Sequence, residues 1–305
     1  MNQWQKLNWN YTPFSDNSMG YAAVPFIGSI EGDEFDVYFS NRDNEGKSFL
    51  QSVKLALKNN SEIVVVEKAD SSLLSSGPIG SFDSSGVMPC QLVDVNGEKL
   101  LYYIGWNLGT DVPFRNSIGL AKQRADGSFE KMHSGPILDR SIFDPCFVAS
   151  MHVIKHDNGF IMYYLSCVSW LKTPEKLEHK YHIKIAYSED GVDWKRKGEV
   201  AIDFKDKEEY AISVPRVICE DGIYKMWYSH RGSKSNRCYK IGYAESIDGL
   251  KWERKDNHFK SDLGTNGWDS QMQCYPFVFS MNNSVYMLYN GNGYGKTGFG
   301  IAKRL

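Results

Sequence analysis

VPRVI (Val214–Ile218), IYKMWYSHRG (Ile223–Gly232) and YKIGYAESIDGLKW (Tyr239–Trp252) are three runs rich in β-branched and aromatic residues, divided by short polar turns. Such runs read as strands, and the Asp-Gly in the third adds a tight turn into a short fourth strand ending at Trp252. The same four-part pattern recurs at Val148–Trp194 (VASMHVI, GFIMYYLSC, HIKIAYSEDGVDW) and at Val87–Phe129 (VMPCQLV, KLLYYIGWN, NSIGLAKQRADGSF). Two further copies lie at the ends, Ala23–Val66 (AVPFIG, FDVYFSNRD, FLQSVKLAL, EIVVV) and Tyr275–Arg304 (YPFVF, SVYMLYNGN, TGFGIAKR).

The last copy stops after its third strand. Trp4-Gln5-Lys6 matches Trp194-Lys195-Arg196 and Trp252-Glu253-Arg254, so the missing strand is supplied from the other end of the chain. Radial repeats of four strands closed in this way describe an all-β fold, a five-bladed β-propeller of four-stranded antiparallel blades whose ring is closed by the N-terminal strand. No linker interrupts the repeat, and residues 1–305 are expected to form a single domain.

With 35 basic and 37 acidic residues and a formal net charge of −2, the chain lacks the positive field that nucleic acid requires. No apolar window approaches the roughly 18 residues of a membrane span, and MNQWQKLNWN does not read as an export signal, so a cytoplasmic location is expected. Six cysteines without CxxC or metal-ligand spacing are expected as reduced thiols, with no metal and no cofactor. The oligomeric state is not encoded in any pattern we recognise.

Strands nearest the axis of a propeller converge on one pocket, so the residues just before each first strand bear on chemistry. Asp83 stands six residues before Pro89, Asp144 seven before Met151, Glu209 six before Pro215 and Asp269 seven before Pro276. In the first repeat Met19 occupies that register, with Asp16 three residues earlier. One such Asp most simply caps a turn or pairs with an Arg. Four at one register suggest carboxylates crowded into a cleft, where one pKa rises and another stays low, as glycosidic bond chemistry requires.

Candidate substrate-binding groups are Arg42 and Asp43 after the first repeat's second strand, Trp106 and Trp170 as aromatic platforms, Arg216, Arg231 and Asn290. His152 lies within a first strand, either as a satisfied core histidine or as a polar group on the pocket floor. The turns SEDGVDW (Ser188–Trp194) and SIDGLKW (Ser246–Trp252) are read as structural, with Trp wedged between blades. The charged insertion Leu171–Tyr181 is read as a lid or contact surface. NGNGYGKTG (Asn290–Gly298) precedes a strand and not a helix, which argues against a nucleotide-binding P-loop.

Through the fivefold repeat, the acids opening the first strands and the two S-x-D-G-x-x-W turns, the chain resembles the five-bladed propeller glycosidase superfamily of arabinanase-, xylosidase- and invertase-type enzymes and mannoside phosphorylases. Through EEYAISVPRV, YKMWYSHRG and GWDSQMQCYPFVF it also resembles the glycosidase-like propellers of bacterial surface-polysaccharide synthesis. The resemblance implies a glycoside hydrolase or phosphorylase acting on a saccharide. Glu209 would be general acid, Asp83 base or nucleophile, and Asp144 and Asp269 would set protonation and grip hydroxyls. The first repeat departs from the superfamily plan by lacking an acid at the matching register. A phosphorylase needs only one carboxylic acid plus basic groups for inorganic phosphate, a role open to Arg42, Arg216 and Arg231. A non-catalytic propeller binding a glycan or nucleotide sugar is the alternative.

Overall fold

The structure, a computed structural model, describes residues 2–13, 20–68, 71–157, 159–173, 176–232, 236–265 and 267–305. Asp16 and Met19 lie outside the described residues. Among those described there is no α-helix, only strands and two three-residue 3₁₀ turns.

Five first strands, β2 (Ala23–Glu31), β6 (Gly86–Val95), β10 (Phe147–His156), β14 (Glu209–Glu220) and β19 (Cys274–Met281), each pair antiparallel with a second strand. These are β3 (Glu34–Arg42), β7 (Glu98–Leu108), β11 (Gly159–Lys172), β15 (Ile223–Gly232) and β20 (Ser284–Asn290). Third strands follow as β4 (Ser48–Lys58), β8 (Phe114–Gln123), β12 (Leu177–Ser188), β16 (Asn236–Ser246) and β21 (Phe299–Arg304). Fourth strands are β5 (Glu62–Lys68), β9 (Phe129–Lys131), β13 (Lys195–Ile202), β17 (Glu253–Arg254) and, for the last repeat, the N-terminal β1 (Gln3–Tyr11).

β1 runs antiparallel to β21 with Trp4 opposite Arg304 and Lys6 opposite Ala302, while β18 (Lys260–Ser261) adds a parallel edge to it. Single parallel bridges, Ser48 to Gly86 and Tyr181 to Ala211, join neighbouring repeats into two eight-stranded sheets beside the five-stranded sheet that contains both ends of the chain. Successive first strands pack on one another, and β19 packs back on β2.

Second strands are apolar on both faces because both are covered. Leu100 to Ile104 in β7 and Ile161 to Leu165 in β11 are buried without alternation. Their tyrosines also link repeats through their hydroxyls. Tyr102 Oη donates to the Gly191 carbonyl and Tyr163 Oη to the Gly249 carbonyl at 2.7 Å. Trp194 and Trp252 stand edge-on to the same two rings, as expected of wedges between repeats. The acceptor turns need glycine: Gly191 and Gly249 have φ of +75° and +71°, while Asp190 and Asp248 each accept two backbone N–H groups within the turn.

All five first strands break register at the same place: after Ala23, Pro89, Ala149, Ser213 and Cys274. In three of them the residue before a proline takes positive φ, Val24 at 49°, Val214 at 48° and Tyr275 at 56°. The amides thereby turned out of the ladder are caught by side chains: Val24 N by Asn290 Oδ1 at 2.8 Å, Val214 N by Ser150 Oγ at 3.0 Å, Tyr275 N by Ser229 Oγ at 2.7 Å. Bulges of this kind bend a strand and re-aim its side chains. Here they sit where the five first strands meet.

Candidate functional site

Each of the four acids expected to converge on a pocket is held instead within its own repeat. Asp83 accepts from Tyr103 of the second strand at 3.3 Å and pairs with Lys131 of the fourth at 2.6 Å. Asp144 does the same with Tyr164 at 3.1 Å and Arg196 at 2.8 Å, and Asp269 with Tyr289 at 2.8 Å and Lys6 at 2.7 Å. Glu209 takes His230 Nδ1 at 2.9 Å and both terminal nitrogens of Arg254 at 2.6 and 3.0 Å. All four carboxylates are buried.

Each acid stands at or a few residues before the start of its first strand, beside the second strand of the same repeat, and a cation from the fourth strand meets it there. Burial would raise the Glu209 pKa, but hydrogen bonds from His230 and Arg254 and the Arg254 charge outweigh it and hold the group at about 2. A carboxyl held there is ionised at ordinary pH and has no proton to donate. Burial first, and the adjacent carboxylate second, raise the Tyr103, Tyr164 and Tyr289 phenols, which stay protonated as donors.

A cavity of about 650 Å³ lies elsewhere. Aromatic side chains line it, among them Phe114, Phe147, Trp170, Tyr181, Tyr239, Tyr275 and Tyr294. None of the four acids lines it. The insertion expected as a lid or contact surface proves to be a long hairpin: β11 and β12 stay paired out to Lys172 opposite Leu177, bringing Trp170, Lys176, Glu178 and His179 into the cavity wall.

Arg231, on β15, lines this cavity. Its side chain is 8 % exposed, and its guanidinium carbon lies 4.6 Å from the centroid of the Tyr239 ring, 5.3 Å from Tyr210 and 5.7 Å from Tyr294. Nη1 donates to Tyr294 Oη at 2.5 Å, Nη2 meets His179 Nε2 at 3.3 Å, and Nε has no partner. Burial and the neighbouring Arg231 charge lower the His179 pKa to about 3, so the ring is neutral and Nε2 accepts. It stacks on Tyr181 at 4.6 Å. No described carboxylate comes within ion-pair distance of Arg231. Glu178 is the one carboxylate among the described lining residues, and it pairs with Lys176 at 3.1 Å.

The other expected binding residues divide. Arg42 lines the cavity, donating to the Gly46 carbonyl at 2.7 Å with Trp106 and Tyr21 rings at 5.3 and 5.7 Å. Trp106 serves as the platform beneath it and donates to Ser48 Oγ at 2.7 Å. Asp43 is a turn residue whose Oδ1 accepts from Glu45 N and Lys47 N, and it is not in the cavity. Asn290 is fully buried, bonded to Val24 N, the Ala22 carbonyl and the Gly298 carbonyl, and so clamps a bulge without reaching a ligand. His152 and Arg216 line a smaller cavity where the five first strands meet. The Asn290–Gly298 loop runs into strand β21, and contributes Gly293 and Tyr294 to the large cavity.

Comparison with solved structures defines the class as a propeller-like glycosidase fold. A glycosyl hydrolase from Bacteroides ovatus superimposes with TM-score 0.73 at 14% identity, over 98% of this chain and 93% of that one. A structure from work on glycoside hydrolases of the GH130 mannoside phosphorylase family that target β-1,2-mannosidic linkages in Candida mannan gives 0.72 at 14%, over 98% and 93%. A thermostable family-43 glycoside hydrolase gives 0.64 at 17%, over 96% and 90%. No protein-family model matches the chain.

In sequence, the uncharacterized protein Rv1502 of Mycobacterium tuberculosis strain H37Rv is 36% identical over 301 residues, covering 98% of both chains. The chain belongs to the family of that protein.

Proposed function

We propose that the chain is a single-domain, five-bladed propeller that cleaves or transfers a glycosidic bond in its 650 Å³ cavity by phosphorolysis, with inorganic phosphate taking the place of water. The observation that carries this reading is Arg231, a buried guanidinium that lines the cavity and forms an ion pair with no described carboxylate. A planar fork of donors in that setting suits a phosphate oxyanion. Arg42 is the second grip, and the aromatic walls suit the apolar faces of a sugar.

Hydrolysis by the two-carboxylate route needs a pair flanking the scissile bond. The cavity offers one carboxylate, Glu178, enough for phosphorolysis. In that reaction Glu178 protonates the leaving glycosidic oxygen as a phosphate oxygen bonds to the anomeric carbon, giving a sugar phosphate and a free sugar. Asp83, Asp144, Glu209 and Asp269 are then staples of the blades. The resemblance to propellers of surface-polysaccharide synthesis makes glycan assembly inside the cell the setting we propose.

A second reading, binding of an anionic glycan or nucleotide sugar without catalysis, is favoured by the Lys176–Glu178 ion pair, which ties up the one available acid. The test is a screen of aryl glycosides and disaccharides with and without phosphate, using wild type, Glu178→Gln, Arg231→Met and Glu209→Gln. Phosphate-dependent release, lost in the first two variants and kept in folded Glu209→Gln, is expected. Phosphate-independent release lost in Glu209→Gln overturns the proposal in favour of hydrolysis, and saccharide binding without turnover establishes the second reading.

A further inference from the structure

The small cavity where the five first strands meet contains neither Arg231 nor Glu178. It is lined by all five first strands, through Pro25, Pro89, His152, Arg216 and Phe277 among others, and measures about 20 Å³. A single water needs roughly 10–15 Å³ on this measure, so the space suits one atom-sized occupant. Val24, Ser150 and Val214 line this cavity and the large one alike, which places it directly beneath the floor of the saccharide cavity.

Its chemistry is cationic. Nε and Nη1 of Arg216 are sealed from solvent with no acceptor in the protein, and no described carboxylate pairs with the guanidinium. The guanidinium carbon sits 3.4 Å from the centroid of the Phe277 ring. Stacking on the aromatic face offsets part of the cost of an unneutralised cation, but it satisfies neither the charge nor the orphaned donors. His152 supplies a neighbouring donor. Its Nδ1 accepts from Val217 N at 3.2 Å, which leaves the ring proton on Nε2, and burial and the Arg216 charge keep the ring neutral.

We propose that Arg216 and His152 hold a single halide-sized anion, chloride under ordinary conditions, at the centre of the ring. One negative charge there neutralises the guanidinium, accepts from both side chains and ties β10 to β14. A cation is disfavoured at the same point, because Arg216 repels it and none of the lining residues carries a carboxylate.

The test is a bromide soak of wild-type crystals grown without halide, read by anomalous scattering, together with thermal unfolding in chloride against gluconate at constant ionic strength. A bromide peak within hydrogen-bonding reach of the Arg216 nitrogens is expected, with a melting temperature that rises with chloride in wild type and not in Arg216→Met. Density for water alone at that point, with unfolding indifferent to halide, overturns the proposal. Should Arg216→Met fail to fold, the wild-type anomalous map decides alone. Turnover or its absence in the glycoside screen does not bear on this outcome.

Discussion

Arg254 grips Glu209 with both terminal nitrogens, Nη1 to Oε2 at 2.6 Å and Nη2 to Oε1 at 3.0 Å, and reaches Asp256 Oδ2 with Nη2 at 2.7 Å. The pair joins the start of a first strand to the fourth strand of its repeat. Removing one partner leaves the other charged and buried, so Arg254→Ala is expected to cost about 3–5 kcal/mol, read as a lower urea midpoint. An unchanged midpoint overturns the assignment of Glu209 as a staple.

The same pair sets an acid limit. The Glu209 pKa is lowered from an ordinary 4.5 to about 2 in the folded state, so its contribution is fully present above the unfolded value and is lost as pH falls through 4.5 towards 2. Integrated over that window the group is worth roughly 3 kcal/mol. Glu209→Gln should be less stable than wild type at pH 7, and its stability should fall less between pH 5 and pH 2. Parallel pH profiles for the two proteins sink this account.

Trp4 is 1% exposed and meets Trp227 edge-on at 5.9 Å, 89° between planes. It anchors the strand that completes the last repeat, so its loss opens a cavity and loosens the link between chain ends. Trp4→Ala is expected to cost about 3–5 kcal/mol, and hydrogen exchange should show new opening in β1 and β21 ahead of β6 and β7. Uniform exchange across repeats contradicts a role in closure.

The strands, the turns and the borrowed N-terminal strand were legible because each obeys local rules: β-branched and aromatic runs, Asp-Gly at positive φ, and a repeated Trp-x-Lys/Arg. The staples were half legible. Lys6, Arg196 and Arg254 stood in the Trp-x-Lys/Arg motif and the acids at a shared register, and tyrosines follow Asp83, Asp144 and Asp269 by 20 residues each. That spacing was the available signal that the acids have partners at home. A shared register places the acids alike in their repeats but does not say which way each side chain points. Glu178 and His179 went unread as site residues because they belong to an insertion in one repeat, with no counterpart to mark them. Arg231 was recognised as a candidate, but its tyrosine cage draws Tyr210, Tyr239 and Tyr294 from three segments far apart in sequence that only the fold brings together.

All six cysteines are free, and their surroundings differ enough to predict reactivity. Cys219 is exposed, whereas burial pushes the Cys90 thiol up to about 12 and raises Cys167 and Cys274 as well. Thiolate supply and access control the rate. Under native conditions at pH 8, a thiol reagent should modify Cys219 first, leaving Cys90, Cys167 and Cys274 unmodified until urea is added. Mass spectrometry of partially labelled protein reads this directly, and early labelling of Cys90 contradicts the packing.

Replacing Arg231 tests whether the residue serves stability or ligand binding. As a buried cation without a carboxylate it is an expense to the folded state, offset in part by the rings of Tyr210, Tyr239 and Tyr294. Arg231→Met keeps the length and apolar stem of the side chain while removing the charge and its donors. A residue kept for folding would lower the melting temperature when replaced in this way. One kept for an anionic ligand leaves it level or raises it, while binding weakens by the loss of one charge-assisted hydrogen bond set, about 1.5–3 kcal/mol or on the order of 10- to 100-fold. We expect the second pattern, measured as phosphate or sugar-phosphate titration beside thermal unfolding of the same samples. Arg231→Lys should recover part of the affinity, since a point charge replaces the fork without its planar geometry. A destabilised Arg231→Met that binds anions as well as wild type would remove Arg231 from the site.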